Sequence, residues 1–124
     1  SDYWFGLATT YYQTNQFDRA IPVLQRTLVL DSERFAAWGT LASIYYQRED
    51  WANAGTMLLN YLELRPNHIP SIFLLATCFD KWGDYEKALL HYNQLFELDD
   101  GSDDARSFQV TQRGQSLTRV LEDE

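Results

Sequence analysis

Cysteine, histidine, proline and basic residues are all scarce in this 124-residue chain. A single cysteine, Cys78, excludes an internal disulfide and is compatible with a reducing compartment. Together with only two histidines, it is too little for a structural zinc site of the common kinds. Ten Lys and Arg stand against 18 Asp and Glu, a net charge of -8. A surface so short of positive charge repels phosphate backbones and anionic headgroups, so nucleic acid and membrane surfaces are poor partners. The longest uncharged apolar stretch, Ile69 to Phe79, falls far short of the roughly 20 residues that span a bilayer, which argues against membrane insertion. No glycine-rich phosphate loop occurs. The first residue is Ser1 rather than Met, so the sequence reads as a fragment or processed form in which a targeting signal would not be seen.

What is present is the composition of one folded domain, 45% hydrophobic and 15% aromatic. It is also periodic. Trp4, Leu7, Ala8, Tyr11, Ala20 and Leu24 are matched 34 residues later by Trp38, Leu41, Ala42, Tyr45, Ala54 and Leu58. The next copy reads Ile72, Leu75, Ala76, Phe79, Ala88 and Tyr92. Each copy predicts two helices, because Trp4, Leu7, Ala8 and Tyr11 share one helical face, as do Ala20, Leu24, Thr27 and Leu28. Polar turns separate the halves at Asn15-Gln16, Glu49-Asp50 and Gly83-Asp84, with Asp50 and Asp84 suited to cap the second helices. Pro66 stops the helix ending at Leu64, and Pro22 predicts a kink or a late start for the helix that holds it. The recurrent alanines mark close helix crossings.

One such hairpin cannot hide its apolar face alone, so the hairpins must stack. The predicted fold is all-α: three repeats (1–34, 35–68 and 69–102) forming a short right-handed superhelix, then a capping helix over 103–124. Ser102 or Asp103 is placed to cap that last helix. Its Val110, Gly114, Leu117 and Leu121 fall on one face, with Gly114 permitting close backbone approach.

Catalytic chemistry finds no support in the pattern. His68 in a connecting turn and His91 in mid-helix have no neighbour that would tune them, so both read as solvated or hydrogen-bonded histidines. Cys78 reads as a core residue rather than a nucleophile. The acidic run Asp99 to Asp104 lacks the ligand alternation of an EF-hand loop and reads as a solvated linker. No enzyme, cofactor or metal site is expected.

The repeat resembles the tetratricopeptide repeat family, whose motif is matched by Trp38-x-x-Leu41-Ala42-x-x-Tyr45, Ala54, Leu58 and Pro66. There are departures. Ile72 replaces a Trp, Ser32 and Asp100 replace the closing Pro, and Thr27, Tyr61 and Leu95 stand where Ala is usual, which predicts looser or shifted packing there. Three repeats plus one helix in a small acidic chain are also similar to the class II chaperones of type III secretion systems, which hold translocator proteins in the bacterial cytoplasm. Phe73-x-x-Ala76-x-Cys78 and Arg113-x-x-Ser116-Leu117-x-x-Val120 carry that narrower likeness.

The family resemblance implies that the first helices line a concave groove. Phe5, Thr9, Tyr12 and Gln13 would face it from the first repeat. Gly39, Ser43, Tyr46 and Gln47 would follow from the second, and Phe73, Thr77, Asp80 and Lys81 from the third. Phe5, Tyr12, Tyr46 and Phe73 would form an aromatic stripe suited to apolar anchors of a peptide, unless some of them pack against a missing N-terminal segment or the last helix instead. Some family members grip the terminal carboxylate of heat-shock chaperones with Lys, Arg and Asn. The matching places here hold Phe5, Thr9, Thr40, Pro70 and Leu74, which cannot donate a charged hydrogen bond. The expected partner is a protein or peptide with apolar anchors, and a homodimer is a further option. The expected function is peptide binding, as a cytoplasmic chaperone or as an adaptor between subunits of an assembly.

Overall fold

Helix follows helix along the whole described chain. The computed structural model describes residues 2–98 and 104–123, and in the last helix the side chains from Gln109 onward. Seven helices and no strand occur among them: α1 (Asp2–Gln13), α2 (Phe17–Leu30), α3 (Phe35–Gln47), α4 (Trp51–Leu64), α5 (Ile69–Trp82), α6 (Tyr85–Leu98) and α7 (Asp104–Glu122). Two compact units are distinguished, one ending at Pro66 and the other starting at Asn67. In the first, α1 pairs with α2 and α3 with α4, while α2 also touches α3. In the second, α5 pairs with α6, and α6 carries α7. None of the described helices is long and apolar enough to cross a membrane.

The period in the sequence is repeated in the backbone. Asn15, Glu49 and Gly83, each 34 residues from the next, have φ of 60°, 59° and 93°. At each, the chain leaves its first helix through the same two hydrogen bonds. The amides of Gln16, Asp50 and Asp84 donate to the carbonyls of Tyr11, Tyr45 and Phe79 over 2.8, 2.9 and 2.9 Å. Those of Asn15, Glu49 and Gly83 donate to Tyr12, Tyr46 and Asp80 over 3.0, 3.0 and 3.2 Å. This left-handed exit satisfies carbonyls that the helix end leaves open. Asn and Gly adopt the conformation at little cost, whereas glutamate holds it under strain. Glu49→Gly is therefore expected to stabilise the first unit by about 1 kcal/mol, read as a higher urea midpoint at unchanged slope.

Each second helix begins on a matching bond, from Ala20, Ala54 and Ala88 amides to the Gln16, Asp50 and Asp84 carbonyls. Asp50 Oδ1 accepts from the Asn53 amide at 3.3 Å and Asp84 Oδ1 from the Lys87 amide at 3.3 Å, so both carboxylates cap as expected. Gln16 makes no such side-chain bond. The helix holding Pro22 does not start late: α2 runs from Phe17 to Leu30 with Pro22 inside it. Pro22 and Asp18 are both exposed, so the carbonyl that loses its partner at Asp18 lies on the water side. Pro70 costs nothing, because it stands in the first turn of α5.

All six recurrent alanines, at 8, 20, 42, 54, 76 and 88, are buried. Ala8, Ala20, Leu24, Leu28, Ala37, Leu41 and Ile44 form one core cluster in the first unit, with Phe5, Tyr12, Phe17 and Trp38 packed against it. Ile72, Leu75, Cys78, Phe79, Tyr92 and Leu95 are buried in the second. Thr27, Tyr61 and Leu95, expected to loosen the packing, are all buried. Tyr61 is accommodated by Gly39: a Cβ at that position would stand 3.2 Å from the Tyr61 ring. Gly39, expected to face a groove, is thus a packing residue between α3 and α4. On α7, Val110, Gly114 and Leu117 are buried and Leu121 is half-buried. The approach at Gly114 is less tight than expected, since a Cβ there would meet Phe96 at an ordinary 3.5 Å. Ser102 and Asp103, expected to cap α7, lie outside the described residues.

Candidate functional site

The first-helix residues singled out by the repeat divide between the two units. In the first, Phe5, Thr9, Tyr12, Ser43 and Tyr46 are half-buried, and Gln13 and Gln47 are exposed. Gln47 Nε2 on α3 donates to the Tyr12 hydroxyl on α1 at 3.4 Å, joining the two helices on this face. The aromatic rings are held rather than free. Tyr12 packs on Phe17 with centroids 5.7 Å apart, and Tyr46 stands edge-on to Trp51 at 5.2 Å. The Arg34 guanidinium lies 4.9 Å over the Phe5 ring and is itself paired with Asp2, with Asp31 at 3.9 Å. Thr9 returns its hydroxyl to the Phe5 carbonyl at 2.9 Å. Rings fixed in this way present a face to solvent without losing freedom when something binds.

On α5 of the second unit, Phe73 and Thr77 are half-buried and Lys81 is exposed. Thr77 donates to the Phe73 carbonyl at 2.9 Å. Asp80 is engaged within the unit: Arg113 of α7 reaches it through Nε at 2.6 Å and Nη2 at 2.5 Å. The Tyr92 hydroxyl also donates to Asp80, at 3.3 Å. Burial pushes the Tyr92 phenol up to about 12, so it keeps the proton it donates. Hydrogen bonding to Asp80 holds the Arg113 guanidinium above its usual value. Of the expected groove residues, Asp80 is therefore one that packs against the last helix.

Other polar groups have structural partners. His68 Nδ1 lies 2.7 Å from the buried Ser71 hydroxyl in the first turn of α5. His91 stacks on Phe79 at 5.6 Å and lies 3.2 Å from Gln94 Oε1. Burial pushes the Cys78 thiol up to about 12, which keeps it a protonated core residue with little nucleophilic character. Among the described residues, no three His, Cys, Asp or Glu side chains come together as metal ligands would. Of the acidic run, 99–103 lie outside the described residues.

Sequence reasoning missed the arginines. Arg34 lies over Phe5, Arg48 over Phe17, Arg65 over Phe35 and Arg113 over Tyr85. The signal was available, because in each pair the arginine follows the aromatic by a little less than one repeat. It also missed a cleft of about 490 Å³ between α6 and α7, lined by Asn93, Phe96, Thr111, Gly114, Thr118 and Arg119 among others.

Comparison with known proteins agrees with the repeat. Residues 33–100 and 1–33 match the tetratricopeptide repeat. Among curated proteins, the chain is 26% identical over 91 residues to anaphase-promoting complex subunit 3 of Dictyostelium discoideum, covering 73% of this chain and 9% of that protein. It spans under a tenth of the length of the curated relatives it matches. Among solved structures, the Yersinia enterocolitica type III secretion chaperone SycD, in complex with a peptide of the translocator YopD, superposes with a TM-score of 0.78 at 18% identity. That match covers 99% of this chain and 94% of the other. The first repeat domain of Spaghetti (RPAP3), bound to the HSP90 peptide SRMEEVD, gives 0.75 at 16% identity over 91% and 89%. At these identities the likeness is one of fold.

Proposed function

The chain belongs to the tetratricopeptide repeat family, and from that membership we propose that it binds protein, holding an extended peptide segment of a partner along its first helices. The observation that carries this reading is the face of α1 and α3. Phe5, Tyr12 and Tyr46 stand there half-exposed and pinned, with the small Thr9 and Ser43 on the same helices. Fixed aromatics beside small residues make pockets for apolar side chains. Gln13 and Gln47 stand exposed on the same two helices; in the second unit, Phe73 and Thr77 supply the same chemistry on α5, with Lys81 exposed. The net charge of -8 favours a segment with basic flanks. SycD, whose fold this chain shares, is a secretion chaperone that binds a peptide of a translocator, and that supports a chaperone as the finer reading.

Calorimetry against two peptides tests this. A peptide with apolar anchors and lysine flanks is expected to bind, and Tyr46→Ala with Phe73→Ala to weaken it by about 2 kcal/mol while circular dichroism stays unchanged. The peptide SRMEEVD is expected not to bind, because Phe5, Thr9, Thr40, Pro70 and Leu74 offer no cation to its terminal carboxylate. Unchanged affinity in the double variant moves the site elsewhere.

A second reading, an adaptor between subunits, is favoured by a different observation. Val29 on α2 and Leu90 on α6 are largely exposed and Leu59 on α4 partly so, all on second helices. One matched relative is named as a complex subunit. An adaptor needs folded partners and loses them when Val29, Leu59 or Leu90 is changed, whereas a chaperone keeps most of its affinity for the isolated client segment.

A further inference from the structure

Asp80 is a carboxylate that cannot stand alone. Its side chain is 15% exposed, and an unpaired charge that deep is costly. Three groups around it make a site of definite shape. Both carboxylate oxygens accept from one guanidinium, the Tyr92 hydroxyl donates to Oδ2, and the Tyr85 ring lies 5.9 Å from the guanidinium carbon. A planar fork with an aromatic beside it suits arginine and not lysine, whose ammonium is a point charge.

The guanidinium that fills this site comes from the solvent side. Arg113 is 42% exposed against 15% for Asp80. α7 does not depend on Arg113 for its seat on α6, because the buried Val110 and Leu117 carry that seam. The arginine can therefore swing out while α7 stays in place. Leaving costs Asp80 its partner unless another guanidinium arrives, so the exchange is arginine for arginine.

From this geometry we propose that Asp80, Tyr92 and Tyr85 form a receptor for an arginine side chain of a bound peptide, which Arg113 fills in the free chain. The proposal rests on the peptide-binding reading above. Phe73, Thr77 and Asp80 are spaced i, i+4, i+7 on α5 and so share one helical face. Seven residues of helix rise about 10 Å, which a peptide extended as polyproline II covers in about three residues, one full turn that returns both side chains to the same face. The ligand is thus an extended segment with an apolar residue and an arginine three apart. Because Arg113 is tethered, it competes at a high effective concentration. A free arginine displaces it poorly; one held in place by a neighbouring apolar anchor displaces it well. Arg113 thereby screens out segments that carry only one of the two features.

The test uses the full chain and two synthetic peptides, one centred on Leu-Ala-Ala-Arg and its twin with citrulline for arginine. Removing the internal competitor with Arg113→Gln is expected to tighten the arginine peptide by about tenfold and leave the citrulline peptide unchanged. Adding Asp80→Asn to that variant is expected to abolish the gain. Arg113→Lys keeps a charge on Asp80 without the fork, and is expected to show the same preference for arginine over citrulline if Arg113→Gln loosens α7. Equal binding of the two peptides to both Arg113 variants overturns the receptor and leaves the peptide-binding reading standing. Binding of neither peptide to any form overturns both.

Discussion

Leucine in place of Ala20 is expected to lower the stability of the first unit by about 3 kcal/mol, the upper range for overpacking a filled core. Ala20 is fully buried in the cluster that holds Ala8, Leu24 and Leu41, where α2 meets α1. The three added carbons find no void unless the two helices separate, and separation opens the contacts of Leu24 and Leu28 as well. The polarity of the residue is unchanged, so lost burial of polar groups plays no part. Urea unfolding measures the effect as a lower midpoint, and the slope reports whether the unit still unfolds as one. A loss below about 1 kcal/mol would mean that the crossing has slack, contrary to its zero exposure.

Leu117→Ala is expected to cost a similar amount, about 3 kcal/mol, by a different route. α7 is a polar helix whose seam on α6 rests on Val110, Gly114 and Leu117, and Leu117 is fully buried. Truncating it removes the largest buried side chain among the described residues of a helix that is too polar to stand alone. The Asp80–Arg113 pair then loses the frame that orients it. Hydrogen exchange resolves this from a general weakening. The amides of α7 are expected to lose most of their protection while those of α5 around Leu75 keep theirs. Equal loss in both helices would show that α5, α6 and α7 open as a single body.

The helices and their turns were legible because they repeat. Ala8, Ala42 and Ala76 share a spacing that only a common helix crossing explains, and all are buried. The left-handed residues at 15, 49 and 83 share it too, and Asn15 and Gly83, unlike Glu49, are of types that announce the conformation. Asp50 and Asp84 were legible as caps from residue type and place alone. The candidate site was less legible. The Asp80–Arg113 fork joins a residue inside the period to one outside it, and no spacing rule predicts which rotamers meet. Pro22 lies inside α2, on the wet side of the helix, where water can replace the bond that a proline gives up.

Gly39 and Tyr61 have a consequence for how freely the hairpins can be rearranged. The ring fills a hollow made by the missing side chain, with Phe35 edge-on at 5.9 Å and Arg65 donating to its hydroxyl at 3.3 Å. At the corresponding places the third copy has Phe73 and Leu95, and the first has Phe5 and Thr27. Hairpins that share a backbone plan are therefore keyed differently inside. A chimera that transplants α3 without α4 sets two rings into one socket or leaves it empty, so shuffled copies of this chain are viable only when each pair of helices travels together.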